Sequence, residues 1–415
     1  IGKTEIKKIF KFCMFKTFKL DINFYCLIYF INFLFKINLF IIYLFNEMIK
    51  TKKKLVIFMP FIGGGGVEKN LFLISNYLSK KINNLKICTI SNKFQKKFNS
   101  NIKLIYPKKK YSEDINIRIK YLICLFELFK YLRKNKNSVV LSFQANIYCI
   151  VICKLLDVKV IVRSNSSPSG WYHNNIKKFI YKKLILLAEK IIVNSLDFKK
   201  QMKTKFNIKV ENIFNPLNLY EIKKKSKEKI KYNFSNKRLN IINIGRLTHQ
   251  KDQITLLKSI NLIKNKIKVN LLIIGNGIEK NNLKNYIKEN KLSRFIKIKN
   301  YLENPYPFIS KSDLFILSSK YEGLPNVLLE AAVLKKFIIS TDCPTGPREI
   351  LNNGKGGFLF KTGDYKKLSQ LILYFFKNKK KLKSKIDYTY SSLSKYDLNK
   401  NLMKYYIMLL PYLKS

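Results

Sequence analysis

Short, uniformly apolar runs alternate along this chain with longer stretches in which apolar residues recur every three or four positions. The runs Leu55–Met59, Leu85–Ile90, Val139–Phe143, Val158–Val162 and Lys190–Asn194 predict strands, and Val67–Lys80 and Asp114–Arg133 predict amphipathic helices between them. The strand runs lack clear period-two alternation, so both faces should be buried, as in a parallel sheet covered by helices. The rhythm stops at residues 221–238 (EIKKKSKEKIKYNFSNKR), which are charged and carry no apolar stripe. It resumes with Leu239–Ile244, Val269–Ile274, Phe295–Ile298, Leu314–Leu317, Phe337–Ser340 and Gly357–Phe360, and residues 364–413 read as largely helical. The expected fold class is α/β, with two doubly wound Rossmann-like domains facing across a cleft. Their expected bounds are 48–220 and 239–385, with a linker over 221–238 and a helical tail over 386–415.

Residues 1–47 form an apolar and basic extension. Within it, 22–45 carry one charge, Lys36, and are about long enough to cross a bilayer, with Lys-rich flanks. Two explanations stay open: a membrane anchor, or a start set too early, since Met48 stands just ahead of the first globular strand.

Composition adds limits. Hydrophobic residues make up 47% of 415 positions, enough for sizeable cores. The net charge is +56, from 81 Lys+Arg (seven of them Arg) against 25 Asp+Glu. So many Lys, Asn, Ile, Phe and Tyr together suggest drift toward A/T-rich codons, which weakens the charge as a sign of a nucleic-acid partner. The seven Cys are scattered with no CxxC, so reduced thiols are expected rather than a disulfide scaffold or zinc site. With His173 and His249 the only histidines and no Asp-x-Asp anywhere, no metal is expected.

The rare residues cluster where ligands bind parallel sheets, outside the carboxyl ends of strands. Gly63, Gly64, Gly65 and Gly66 follow the first strand and open a helix, where amides and helix dipole can hold an anion. The spacing there is neither a Walker loop nor a strict GxGxxG. Gly275 and Gly277 follow a later strand. Arg163, Arg246 and Arg348 sit at strand ends, and Arg offers a planar fork for phosphate oxygens that Lys lacks.

The most specific constellation is SSKYEGLPNVLLEAA, residues 318–332. Glu322 and Glu330 are separated by seven residues, across a turn at Gly323 and Pro325 and a helix start near Asn326. Two carboxylates flanking free helix amides suit a sugar nucleotide: the acids accept from sugar and ribose hydroxyls, and the amides hold phosphate.

At this point NIGRLTHQKDQ (243–253), IIGNGIEKNNL (273–283), ENPYPFISKSDLFILSSKYEGLPNVLLEA (303–331) and STDCPTGPREILNNGKGGFLF (340–360) resemble the C-terminal domain of glycosyltransferase family 4. These are retaining enzymes of the GT-B fold. The match spans about 140 residues, from 241 to 377; SFQANIY (142–148), RSNSSP (163–168) and IIVNS (191–195) give a thinner N-terminal match. The subgroup most resembled builds bacterial surface polysaccharides or lipid-linked oligosaccharides.

The resemblance implies roles. Arg246 and Lys251 would clamp the donor diphosphate, and Glu322 would contact the transferred sugar. The backbone of Gly323, Leu324, Pro325, Asn326 and Val327 would hold sugar and phosphate. Glu330 would bind ribose, Tyr301, with Asn304 and Pro305 behind it, would line the base pocket, and Gly275 would also bind substrate. Gly64, Gly65, Gly66 and Glu68 would face the donor phosphate or acceptor from the other domain. Many relatives place a His beside the donor sugar; here Arg163 and Asn165 stand instead, and His173 reads as structural or acceptor-side.

The implied reaction moves a hexose or N-acetylhexosamine from a nucleotide diphosphate sugar, expected to be UDP-linked, to a glycan or lipid-linked acceptor, with no cofactor. The surplus Lys (Lys108–Lys110, Lys177–Lys183, Lys199–Lys205) suggests an anionic membrane surface as partner, at the cytoplasmic face of the inner membrane, peripherally or through an N-terminal anchor. The alternatives are a charge-driven nucleic-acid-binding protein, a single-pass membrane structural protein, and another GT-B enzyme such as an epimerase or phosphorylase.

Overall fold

The computed structural model describes residues 53–109, 111–112, 115–165 and 175–414, which fall into two lobes. Lobe 1 holds a seven-stranded sheet, all parallel, in the order β3-β2-β1-β4-β5-β6-β7. Its strands are β1 (Lys54–Phe58), β2 (Lys86–Cys88), β3 (Lys103–Ile105), β4 (Ser138–Ser142), β5 (Lys159–Ser164), β6 (Lys190–Val193) and β7 (Glu211–Asn212). The helices between them are α1 (Gly66–Ser79), α2 (Ile117–Lys134), α3 (Asn146–Leu155), α4 (Asn175–Ile185) and α5 (Leu196–Phe206). Alternate residues of β1 feed opposite cores. Leu55 and Ile57 pack toward α1, while Val56 and Phe58 pack toward the helices α2, α3, α4 and α5.

After α6 (Leu219–Lys225), lobe 2 repeats the same winding. Its strands are β8 (Leu239–Ile244), β9 (Val269–Ile274), β10 (Ile296–Lys299), β11 (Leu314–Leu317), β12 (Phe337–Thr341) and β13 (Phe358–Phe360), in the parallel order β10-β9-β8-β11-β12-β13. Helices α7 (Gln253–Ile263), α8 (Lys280–Glu289), α9 (Tyr306–Lys311), α10 (Asn326–Val333), α11 (Pro347–Ile350), α12 (Tyr365–Asn378) and α13 (Lys383–Ser391) surround it. In both sheets the winding reverses beside the first strand, between β1 and β4 and between β8 and β11, which opens a crevice at each sheet's carboxyl edge.

Three stretches differ from the sequence expectation. The segment 221–238 is no bare linker: Ile222 is buried, and Tyr232 and Phe234 pack on Phe308 with ring centroids 5.8 and 6.5 Å away. Isolated aromatic anchors hold it down, and these leave no periodic stripe. The expected tail 386–415 also splits. After α13, helix α14 (Leu398–Lys414) crosses back to lobe 1, where Tyr405, Tyr406, Leu409 and Leu413 join the core beside α1. The two-to-three-residue edge strands β3 and β7 were not foreseen, being too short for a pattern. Within the described residues the cysteines Cys88, Cys124, Cys149, Cys153 and Cys343 are free and buried. His173 lies outside the described residues.

Candidate active site

The loops leaving β1, β5 and β6 meet those leaving β10 and β11 where the carboxyl edges of the two sheets approach. The glycine loop of lobe 1 lies directly against lobe 2. Gly64 has φ +83°, and a side chain there would meet the Tyr301 hydroxyl at 2.8 Å, so only glycine fits both the backbone and the space. Two residues on, the Gly66 carbonyl accepts from Asn326 Nδ2 (2.9 Å). Glu68 is buried and folds back to accept from the Gly63 amide (3.2 Å). Its carboxylate thus occupies the loop that the sequence offered to phosphate; Glu68 braces the loop and adds no positive charge.

Across the cleft, Glu322 sits in the turn after β11, only 6% exposed. Its Oε1 accepts from Lys251 Nζ (2.5 Å) and from Ser319 Oγ (2.6 Å). Its backbone is pinned as well: the Glu322 amide donates to the Pro344 carbonyl (2.7 Å), and the Thr345 amide donates to the Glu322 carbonyl (3.1 Å). Taking both charges of such a pair out of water costs several kcal/mol, so geometry this confined signals function more than stability. Beneath it, burial first and the Glu322 charge second push the Cys343 thiol up to about 12, so it stays protonated.

Arg246 follows β8 and is exposed, but on the cleft side. The Tyr121 hydroxyl of lobe 1 has its pKa raised by burial, while the Arg246 charge lowers it and the Glu68 charge raises it. Gly275, at the end of β9, packs against the Gly245 carbonyl and so seats the loop that carries Arg246. The Lys251 ammonium and the amino end of α10, worth roughly half a positive charge, flank the turn at Glu322, and Arg246 leaves the same edge of the sheet after β8. Such a region favours a diphosphate.

Helix α10 begins after Pro325, because proline suits a helix start and Gly323 lets the turn pass close to lobe 1. A Cβ on Gly323 would lie 1.9 Å from the Asn165 carbonyl and 3.2 Å from Asn194 Nδ2. Asn165 anchors itself by donating to the Phe143 carbonyl (2.6 Å). Leu324 is buried, and its carbonyl accepts from Asn215 Nδ2 (3.2 Å); Val327 is half-buried one turn ahead of Glu330. Glu330 is 2% exposed, and its Oε1 accepts from Lys69 Nζ of lobe 1 (2.7 Å) and the Tyr306 hydroxyl (3.4 Å). Its Oε2 is buried without a partner. A carboxylate oxygen left bare in the interior is costly, so it marks a place where a hydroxyl donor belongs. Tyr301 is half-exposed over the glycine loop, as a pocket wall requires.

Two expected ligand contacts are corrected. Arg163 is 0% exposed and two of its three nitrogens are taken by structure: Nε donates to the Tyr405 hydroxyl (2.8 Å) and Nη2 donates to Asn215 Oδ1 (2.6 Å), while the guanidinium covers the Phe143 ring and Nη1 is buried without a partner. It ends a strand as predicted, but α14 folds over and claims it. Asn304 turns away from Tyr301, donating to the Lys225 carbonyl (3.0 Å) and Glu228 (2.8 Å), and Pro305 beside it is buried at the head of α9. His249 contacts Lys320 at the surface. The sequence missed Lys69, Asn215, Ser319 and Thr345. Only Ser319 and Thr345, inside the resembling segments, carried any signal.

The family model described as glycosyl transferases group 1 matches residues 224–392. The uncharacterized glycosyltransferase MJ1059 of Methanocaldococcus jannaschii is 32% identical over 270 residues, covering 60% of this chain and 66% of that protein, just under two thirds of it. A Campylobacter jejuni N-acetylgalactosamine-N,N'-diacetylbacillosaminyl-diphospho-undecaprenol 4-alpha-N-acetylgalactosaminyltransferase is 25% identical over 334 residues, 77% of this chain and 88% of its own. The crystal structure of Anabaena Alr3699/HepE in complex with UDP and glucose superposes with a TM-score of 0.69 at 13% identity, over 86% of this chain and 99% of that one, a likeness of fold. Residues 224–392, most of lobe 2, thus match the group 1 glycosyltransferases, and the two lobes have the GT-B architecture of the solved neighbours.

Proposed function

We propose that this chain is a retaining glycosyltransferase that moves a hexose or N-acetylhexosamine from a UDP-linked donor to a lipid-linked or glycan acceptor in surface-polysaccharide synthesis. The observation that carries the reading is the convergence on one edge of lobe 2 of Arg246, the buried Lys251–Glu322 pair and Glu330 with its unpartnered oxygen. In this reading Arg246 and Lys251 neutralise charge building on the diphosphate as the sugar C1–O bond breaks. Glu322 orients the sugar. The acceptor oxygen bonds C1 on the face the leaving group vacates, and its proton passes to the departing phosphate oxygen, giving UDP and a product of unchanged anomeric configuration. Asn165 and Asn194, against Gly323, line the sugar side from lobe 1.

The same reading seats lobe 1 on an anionic membrane at the cytoplasmic face. Helices α2, α3 and α4 lie side by side and expose apolar stripes: Ile119, Leu122 and Phe126; Tyr148, Val151 and Leu155; Phe179 and Ile180. Lys130, Lys154, Lys177 and Lys183 edge them, and each cation near such a surface is worth about 1 kcal/mol. Among the described residues no helix is long and apolar enough to cross a membrane.

The experiment is a panel of nucleotide sugars incubated with the protein and polyprenyl-diphosphate-linked sugar acceptors, with product anomers assigned by NMR. Transfer from a UDP-sugar with retention is expected. Inversion, or hydrolysis without transfer to any acceptor, would refute the reading.

A further inference from the structure

Lys69 has no local reason to be where it is. It stands in the first turn of α1, where the helix dipole disfavours a cation. Its ammonium nevertheless crosses to lobe 2, lies 2.7 Å from Glu330 Oε1 and 3.3 Å from the Tyr306 hydroxyl, and sits 5.0 Å above the centre of the Tyr306 ring. The backbone that delivers it is fixed, because the Gly66 carbonyl is bonded to Asn326 Nδ2 at the head of α10. One Glu330 oxygen is therefore held from two sides, and the carboxylate cannot rotate without breaking both contacts. The other oxygen stays buried and unpartnered.

We propose that Lys69 is a positioning residue of the nucleotide site supplied by the opposite lobe. By fixing one oxygen of Glu330, it keeps the other turned to accept from the ribose hydroxyls of the donor, and it ties ribose recognition to contact between the lobes. The proposal rests on the donor reading above, which assigns ribose to Glu330.

The test is calorimetric binding of UDP and 2′-deoxy-UDP to the full chain and to the variants Lys69→Met, Lys69→Arg and Glu330→Gln. The parent is expected to favour UDP about tenfold, the worth of one charge-assisted hydrogen bond. Lys69→Met and Glu330→Gln should both erase that preference, and cooperative thermal melts of each variant report that they are folded. Lys69→Arg should restore part of it. If Lys69→Met weakens both nucleotides equally, Lys69 is merely a structural tie and the proposal falls. If Lys69→Met tightens UDP, the lysine competes with ribose and the proposal falls. If Glu330→Gln also keeps the full preference, or the parent binds neither nucleotide, the donor reading itself fails, an outcome distinct from loss in Glu330→Gln alone.

Discussion

The two lobes wind their strands in the same order, yet they spend polar residues differently. Lobe 2 buries two carboxylates at its cleft edge, Glu322 and Glu330, each held by a lysine, whereas the charges lobe 1 buries there, Glu68 and Arg163, brace its own loop and the returning helix α14. Lobe 1 gives the cleft glycine, asparagine and a reaching lysine, and puts its unusual surface outside, in the apolar stripes of α2, α3 and α4. In the proposed reading the shared scaffold separates two tasks. Holding a charged small molecule calls for preorganised, desolvated groups, whereas meeting an extended surface calls for apolar area edged with cations.

That contrast yields graded predictions. The largest effect should come from Glu322→Gln, which keeps the shape but removes the charge proposed to orient the sugar; turnover should fall about a thousandfold, measured as kcat. The melting temperature should drop too, because Lys251 then stays buried without its counter-charge. Arg246→Ala should lower kcat/KM about a hundredfold while changing stability by no more than ~0.5 kcal/mol, since the side chain is exposed. Comparable stability losses in both would erase the distinction between buried and cleft-facing cations. On lobe 1, Leu122→Asp with Phe126→Asp should cut flotation with anionic vesicles about tenfold, yet leave transfer to a water-soluble acceptor intact. Equal loss of both activities would tie that face to the cleft after all.

The smallest effect concerns the lobe junction, where Glu349 of α11 accepts from the Asp197 amide at the head of α5 (3.1 Å). Burial raises its pKa, the donated amide lowers it, and the Asp197 charge raises it further. A carboxyl whose folded pKa is raised binds its proton more tightly folded than unfolded. Its stabilising contribution is therefore complete below the ordinary value near 4.5 and is lost as pH rises through the raised value. Glu349→Gln should flatten that decline in denaturant melts taken from pH 4 to 7, and an unchanged slope would show that Glu349 does not titrate with folding.

Legibility follows the same divide. The lobe 2 site was readable because its chemistry lies in two short stretches, Gly245–Lys251 and Ser318–Glu330, each beside a strand that apolar runs announce. The lobe 1 contributions were not, because they depend on distant partners. Lys69 reads as one lysine among scores until Glu330, 261 residues away, is beside it. Arg163 reads as a phosphate ligand until Tyr405, 242 residues on, absorbs it. Asn215 carries no motif, yet it joins Arg163 to the Leu324 carbonyl and to Asn326 Oδ1 (2.6 Å), so the lobes meet through it.

The central claim is that a nucleoside diphosphate sits where Arg246, Lys251 and the head of α10 meet. Thermal melts with saturating UDP test it most directly. At one hundred times the dissociation constant the parent should gain ~2.7 kcal/mol, and Arg246→Ala and Lys251→Met should lose most of that gain. Stabilisation of both variants equal to the parent's, or a larger gain from an oligonucleotide than from UDP, would contradict it.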